Sequence, residues 1–502
     1  MKFYALFKAM LPVLFMACIV SSCKRDDEAI KKNSLQVEKQ TNQLQATSIG
    51  ASEKNDNTGV PISNKYILIA SSEISLPTGI DGELSGMGAT IDKKLDQVGL
   101  TFVSSNDPDF KAKAKKIKGI RSVINDYRAR WYDPQKEKTV AAQNLAESHE
   151  IGPVADNDFY FPLQWGMLAV DARDAWAKGY TGQGASVAIL DTGFDLDHPD
   201  LVPNIDLANS ANFVPGEVLQ YNLPDPFSHG THVAGIVGAA DNAFGVIGVA
   251  PQAKLILVKV LNDNGNGDFS WIMQGIIHAA DHGANVINMS IGAFIPHHSQ
   301  TKTPDGVIND TNEIQELLVA MNRATNYAYK KGVTILTSAG NEAVDLNHIA
   351  DYDHYPSGCS NVISVAATSP VGWANNFATD LDIPTTYTNF GTSGVDLAAP
   401  GGDLYSTVTG NCTVGPVGGV PCNVFDLIFS TGNNGWFWAG GTSMASPHAA
   451  GVAALIVGKH GGNISPSQVR SILQRSAEEK GKPGKDAFFG FGRVNASQAV
   501  DY

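Results

Sequence analysis

Four apolar runs organise the second two-thirds of the chain. SVAILD (186–191), KLILVKVL (254–261), VINMSI (286–291) and TILTSAG (334–340) are nearly continuous in hydrophobic residues. Such runs, too short for helices and bounded by small or turn-forming residues, read as strands buried on both faces of a parallel sheet. Helical stretches beginning near His229, Ser270, Glu313 and Ser443 alternate with them. The alternation predicts an α/β unit of three layers around a mainly parallel sheet. Further upstream the pattern changes. YILIASS after Lys65, amphipathic material from Met87 to Val98, LTFVSS, a Lys-rich helical stretch from Phe110 to Lys118, and IRSVIND outline a small α+β module over 64–140. Residues 23–63 are polar and lack either period, which predicts a flexible tether. Residues 141–157 read as a linker before a larger domain at 158–502.

The predicted strand ends and helix starts carry the candidate chemistry. Asp191 closes the VAIL run, His229 and His232 sit in HGTHVAG, Asn341 follows ILTSAG, and Ser443 lies in GTSMASPH. A serine hydroxyl is a poor nucleophile at neutral pH and needs a base within hydrogen-bond reach. An imidazole can take that proton when a carboxylate holds its other nitrogen. A serine at a helix start also faces the positive end of the helix dipole, where a developing anion is stabilised. Each residue has a plainer reading alone: a turn Asp, a structural His, a turn Asn, a helix-capping Ser.

Taken together, in the order Asp, His, Asn, Ser, these motifs resemble the subtilisin family of serine endopeptidases over roughly Asp158–Tyr502. The resemblance implies a catalytic Asp191–His229–Ser443 triad, with His232 structural and Asn341 donating to the oxyanion. It implies that Gly265, Gly267, Phe269, Ser290, Gly292 and Gly340 hold the substrate, and that a pocket floor falls near Asp353 and His354. It further implies a structural calcium ion, held by Asp158, Asp200 and Asn242 with the carbonyls of Ala240, Phe244 and Val246. Hard oxygen ligands of that kind suit calcium and not zinc. The 64–140 module resembles the family's inhibitory propeptide, so a self-processing proenzyme is expected, monomeric and acting on proteins.

Two stretches are longer than a minimal family member needs: one between Gly292 and Glu313, the other between Gly401 and Gly440. Trp436, Phe437 and Trp438 in the second either wall the cleft or cover core. The closing FGFGRVNASQAV matches the family's last segment, and no further module is expected after it.

Charge divides the chain as the patterning does. Residues 1–150 carry 21 Lys+Arg against 18 Asp+Glu, whereas the remainder carries 15 against 32. An acidic catalytic region disfavours nucleic acid as a substrate. At the N-terminus, Lys2 and Lys8 precede an apolar run, Leu11–Val20, too short to span a bilayer. It reads as a signal peptide over 1–22, and VSSC resembles a bacterial lipobox that would make Cys23 a lipid-anchored N-terminus. The expected location is the bacterial outer membrane or cell surface, with release to the outside as the alternative. Cys412 and Cys422 bracket a Gly/Pro-rich loop and could bridge in an oxidising compartment, leaving Cys359 a buried small hydrophobe.

Overall fold

The computed structural model describes residues 59–133, 138–142, 158–297, 300–303, 306–309, 311–349 and 352–502. The expected signal peptide, Cys23 and most of the expected tether lie outside the described residues.

The main sheet has eight strands among the described residues. Ser186–Asp191 and Val286–Met289 lie at its centre, flanked by Lys254–Lys259 on one side and by Thr334–Ser338 and Val362–Ser369 on the other. These five pair in parallel: Ser186 opposes Lys254, Val286 opposes both Val187 and Thr334, and Ile335 opposes Val362. Val187–Asp191 are all buried, as the apolar run predicts. The covering helices form two pairs. His229–Gly238 packs on Thr442–Lys459, and Phe269–Asp281 packs on Thr311–Lys330. Helices on both faces make the three-layer α/β arrangement, and sites in such sheets form at the carboxyl ends of the strands.

The upstream module begins at Val60. Its strands Thr90–Leu95, Leu100–Ser104, Val60–Ala70 and Ile120–Arg130 form an antiparallel sheet. The run from Tyr66 to Ala70 is buried on both faces for separate reasons. Tyr66 and Leu68 pack with Ile80, Leu84, Phe110 and Val123 in the module's own core. Ile67 and Ile69, one pleat away, join the large core of the rest of the molecule. Ion pairs frame this contact: Arg121 with Glu316, Arg128 with Asp268, and Lys111 with Glu313. Arg323 also donates to the carbonyls of Ala70, Ser72, Val98 and Gly99.

Two features join the regions as sheet. Asn266–Asp268 adds to the module's sheet as a fifth strand, with Ala129 opposite Gly267. Further on, Lys138–Ala141 lies against the outer strand of the hairpin Ile428–Gly432/Gly435–Gly440. The first long stretch forms a strand, Ala293–Pro296, paired with Tyr352–Tyr355. The second contains the Cys412–Cys422 disulfide within a small hairpin. Cys359 is buried, which pushes its thiol up to about 12 and leaves it protonated and unreactive.

Candidate active site

Asp191, at the end of its strand, is fully buried. Its Oδ1 accepts from Thr192 N at 2.7 Å and from His229 Nδ1 at 2.6 Å. A carboxylate only accepts, so Nδ1 carries the proton and Nε2 is left as the basic nitrogen. The start of the His229 helix is fixed to the same strand end. Ser228 caps it by accepting from Thr231 N at 3.2 Å and donates to Gly193 O at 2.8 Å. His232 points elsewhere, with Nε2 bonded to Phe437 O, and burial depresses its pKa to about 3.

Ser443 is the second residue of the Thr442–Lys459 helix. Pro447, four residues later, has no N–H to give back to the Ser443 carbonyl. Ser290 Oγ takes that place, donating to Ser443 O at 2.7 Å. Asn288 Nδ2 donates to Ser290 Oγ at 2.9 Å, and Ser446 Oγ donates to Asn288 Oδ1 at 2.6 Å. A helix proline thus frees a carbonyl that pins the Ser443 backbone to the central strand. The Ser443 hydroxyl itself donates to Ser290 O at 3.2 Å.

Asn341 lies across from this helix start. Its Oδ1 accepts from Thr442 N at 2.8 Å and from Thr442 Oγ1 at 2.7 Å. Because a backbone N–H can only donate, the amide oxygen is fixed toward Thr442 and the NH₂ toward the other side. A cavity opens there, lined by Gly292, Ser338, Gly340, Asn341, Glu342 and Ser443. Asp353, on the Tyr352–Tyr355 strand, is half-buried, whereas its neighbour His354 is buried. A Cβ added to Gly292 would come within 2.7 Å of His354 Nε2, and one on Gly340 within 3.0 Å. Burial lowers His354 to about 4, so a neutral imidazole backs both glycines.

The expected substrate-holding residues are gathered around a piece of the chain itself. Trp131 N donates to Gly265 O at 2.9 Å, Trp131 Nε1 donates to Gly267 O at 2.9 Å, and Gly292 N donates to Trp131 O at 3.1 Å. The Trp131 ring packs on Phe269 with centroids 4.6 Å apart. Tyr132 stacks on His229 at 4.0 Å, and Asp133 lines the cavity with Ser443. Gly265 has φ +83°, and any Cβ there would run into Tyr132 O. Sequence patterning did not reveal this seat. WYD at 131–133 carries no periodic signal, and its position depends on the register of the strand before it.

The six residues named for calcium come close together. Asp158 Oδ1 accepts from Asn242 N and Phe244 N, both at 3.2 Å. Asp200 Oδ2 accepts from Val246 N at 3.0 Å and from Trp436 Nε1 at 2.9 Å, while Asp200 N–H bonds His198 and Ala240 N bonds Asp200 O. The Oδ1 atom of Asp200 is buried with no protein partner. Burial, with Asp158 alongside as a lesser cause, pushes the Asp200 carboxyl up to about 7. Two adjoining buried carboxylates and an orphaned oxygen fit a bound hard cation. No group of three or more His, Cys, Asp or Glu placed to hold a metal ion occurs among the described residues, so carbonyls and the Asn242 amide would complete such a shell. Trp436, Phe437 and Trp438 cover core and do not wall the cleft. Trp438 packs on Phe425 and Phe429, Phe437 on Phe227, and Trp436 on Tyr160.

A buried carboxylate–imidazole pair, a helix-start serine and an oriented amide, on a doubly covered parallel sheet, define a serine hydrolase of the α/β type. The subtilase family matches residues 182–492. A thermophilic serine proteinase from Bacillus sp. (strain AK1) is 32% identical over 418 residues, covering 82% of this chain and 83% of the relative. M-protease from Shouchella clausii (strain KSM-K16) is 34% identical, covering 71% and 73%. Fervidolysin from Fervidobacterium pennivorans, a keratinolytic enzyme related to subtilisin, superposes with a TM-score of 0.61 at 26% identity, over 90% of this chain and 62% of that one. The chain belongs to the subtilase family and is a subtilisin-like serine endopeptidase.

Proposed function

We propose that this chain is the self-inhibited precursor of an endopeptidase that works through Ser443, His229, Asp191 and Asn341. The observation that carries the reading is the 2.6 Å Asp191–His229 bond, which leaves Nε2 as the basic nitrogen of a ring stacked on Tyr132, itself a lining residue of the cavity that holds Ser443. Ser443 Oγ attacks the peptide carbonyl carbon while its proton passes to His229 Nε2. The oxyanion accepts from Asn341 Nδ2 and Ser443 N–H. His229 then gives the proton to the departing amine, and water hydrolyses the acyl ester by the same route. Turnover of casein by the purified protein tests this; no turnover after the 59–133 module is removed would overturn it. His354, backing the two cavity glycines, favours a small side chain before the scissile bond.

The 59–133 module acts as the inhibitor, with Trp131 and Tyr132 lying in the cleft as a substrate would. Its grip should depend on pH through Asp126. This carboxyl is buried where the module meets the Phe269–Asp281 helix, accepting from Ser270 N at 3.2 Å. Burial first, and then the charge of Asp268, push it up to about 7, against bonds from Ser270 and Tyr127 that lower it. An acid with a raised pKa in the docked state favours docking while protonated. Docking is therefore tightest below the ordinary carboxyl value of about 4 and weakens as pH rises to about 7. The dissociation constant of the processed, non-covalent complex should rise at least about tenfold between pH 5 and pH 8. A pH-independent constant would remove Asp126 from this role.

A calcium ion held by Asp158, Asp200, Asn242 and the carbonyls of Ala240, Phe244 and Val246 would supply stability, not chemistry. An ion that binds only the folded state stabilises by about 2.7 kcal/mol at a hundredfold excess over its dissociation constant. A chelator should lower the Tm and speed autolysis. Asp200→Asn should do the same, because it keeps an acceptor for Val246 and Trp436 but removes a formal charge. Identical melting with and without calcium would exclude the site. Cys23 is the proposed lipid attachment point, which would place the enzyme at a bacterial cell surface. Among the described residues no helix is long and apolar enough to cross a membrane.

A further inference from the structure

We propose that Asn389 is the positioning residue for the oxyanion donor, a clamp on the loop that carries Asn341. The inference rests on the role given to Asn341 above and names what keeps that amide in place.

Asn341 stands in the middle of a short loop, 339–344, that leaves the Thr334–Ser338 strand. Such a loop has no repeating hydrogen bonds of its own, so its backbone groups need partners from elsewhere. Asn389, whose side chain is fully buried, supplies them. Its Oδ1 accepts from Glu342 N at 3.1 Å and from Val344 N at 3.0 Å. Its Nδ2 donates to Ala339 O at 2.9 Å and to Glu342 Oε2 at 2.8 Å. The Asn389 backbone N–H adds a bond to Gly340 O at 3.0 Å. A side-chain amide has two N–H donors and an oxygen that accepts twice, so all four positions are used, and all on one loop. Because Glu342 N and Val344 N only donate and Ala339 O only accepts, the partners also fix which way the amide faces. These bonds fall on either side of Asn341 in the chain and leave its own side chain to Thr442.

Two further features fit a clamp. Gly340 has φ +101°, and a Cβ there would stand 2.3 Å from Asn389 Nδ2, so only glycine admits the amide. Thr388 Oγ1 accepts from Ala367 N at 3.1 Å, within the Val362–Ser369 strand, which ties the neighbour of Asn389 to the main sheet. The oxyanion amide is thus referenced to the scaffold by two routes, through Thr442 to the Ser443 helix and through Asn389 to the adjoining strand. A donor fixed before the charge appears needs no reorganisation when the transition state forms. Asparagine is the residue type this seat demands, since aspartate has no N–H for Ala339 O or for the Glu342 carboxylate. In the sequence Asn389 ends the polar run TTYTN, and no periodic pattern marks it.

The test is a double-mutant cycle. Asn389→Ala and Asn389→Asp are each made in the wild-type chain and in Asn341→Leu, and kcat and KM are measured on a peptide amide substrate, with active-site titration counting the processed molecules. In the wild-type background each change should lower kcat at least about tenfold and leave KM within about twofold, because a misplaced donor forfeits part of what a lost one costs. In the Asn341→Leu background the same change should cost less than about twofold, since residues that act through one another do not add. Asn389→Asp keeps an oxygen for Glu342 N and Val344 N, so it carries the test if the alanine variant does not fold. Equal losses in both backgrounds, or a raised KM with unchanged kcat, would make Asn389 a support of the fold alone and overturn the proposal. A normal kcat in Asn341→Leu by itself would strike the oxyanion reading, and the positioning role with it.

Discussion

Replacing Ser443 with alanine should give a folded precursor that never cuts itself and does not digest casein. The hydroxyl makes one bond, to Ser290 O at 3.2 Å, so its loss should cost the fold no more than about 1 kcal/mol. The backbone anchor from Ser290 Oγ to the Ser443 carbonyl is untouched by the substitution. Without the hydroxyl there is no acyl intermediate, and turnover should fall about a millionfold, the loss established for subtilisin's own serine. Intact mass and the melting temperature read both halves. Processing at the wild-type rate in an isolated Ser443→Ala preparation would show that another residue is the nucleophile.

Asn341→Leu should be the next most damaging change, and it should act on kcat. The amide donor matters once charge has moved onto the carbonyl oxygen, so KM should barely change. Loss of one oxyanion donor costs about 10²–10³-fold in subtilisin, and the same scale is expected here. A second effect belongs to this protein's geometry. Asn341 Oδ1 is the acceptor for Thr442 N–H and Oγ1, and leucine leaves both without it. Thermal stability should therefore drop by about 1–3 kcal/mol. A raised KM with normal kcat would recast Asn341 as a ground-state substrate contact.

The candidate chemistry was readable in the sequence because it needs particular residue types where buried strands stop. Asp191 ends VAIL and Asn341 follows ILTSAG. Those apolar runs became the strands they predicted, since a strand covered on both faces must be apolar throughout. What depended on register was not readable. YILIASS suggested a strand from Lys65, yet pairing with Tyr127 and Arg128 extends it back to Val60 across an irregularity that polar residues do not announce. The seat of Trp131 and the strand at Lys138–Ala141 arise from where the preceding strand delivers the chain. Pro447 could have been read: a proline early in a helix frees the carbonyl four residues before it. The sequence left open whether Trp436–Trp438 walled the cleft, because side-chain direction follows from hairpin packing and not from composition.

If the upstream module inhibits as proposed, the fifth strand that Asn266–Asp268 contributes to it sets how dose governs activity. While the backbone is continuous, the module meets the cleft at an effective concentration set by its tether, of millimolar order for short flexible connections. Once the chain is cut, the same contacts belong to two molecules and their occupancy follows mass action. A concentrated sample of processed protein should then stay largely silent. The same sample, diluted, should become more active per molecule, so that moving from a crowded compartment into open medium is itself enough to switch the enzyme on.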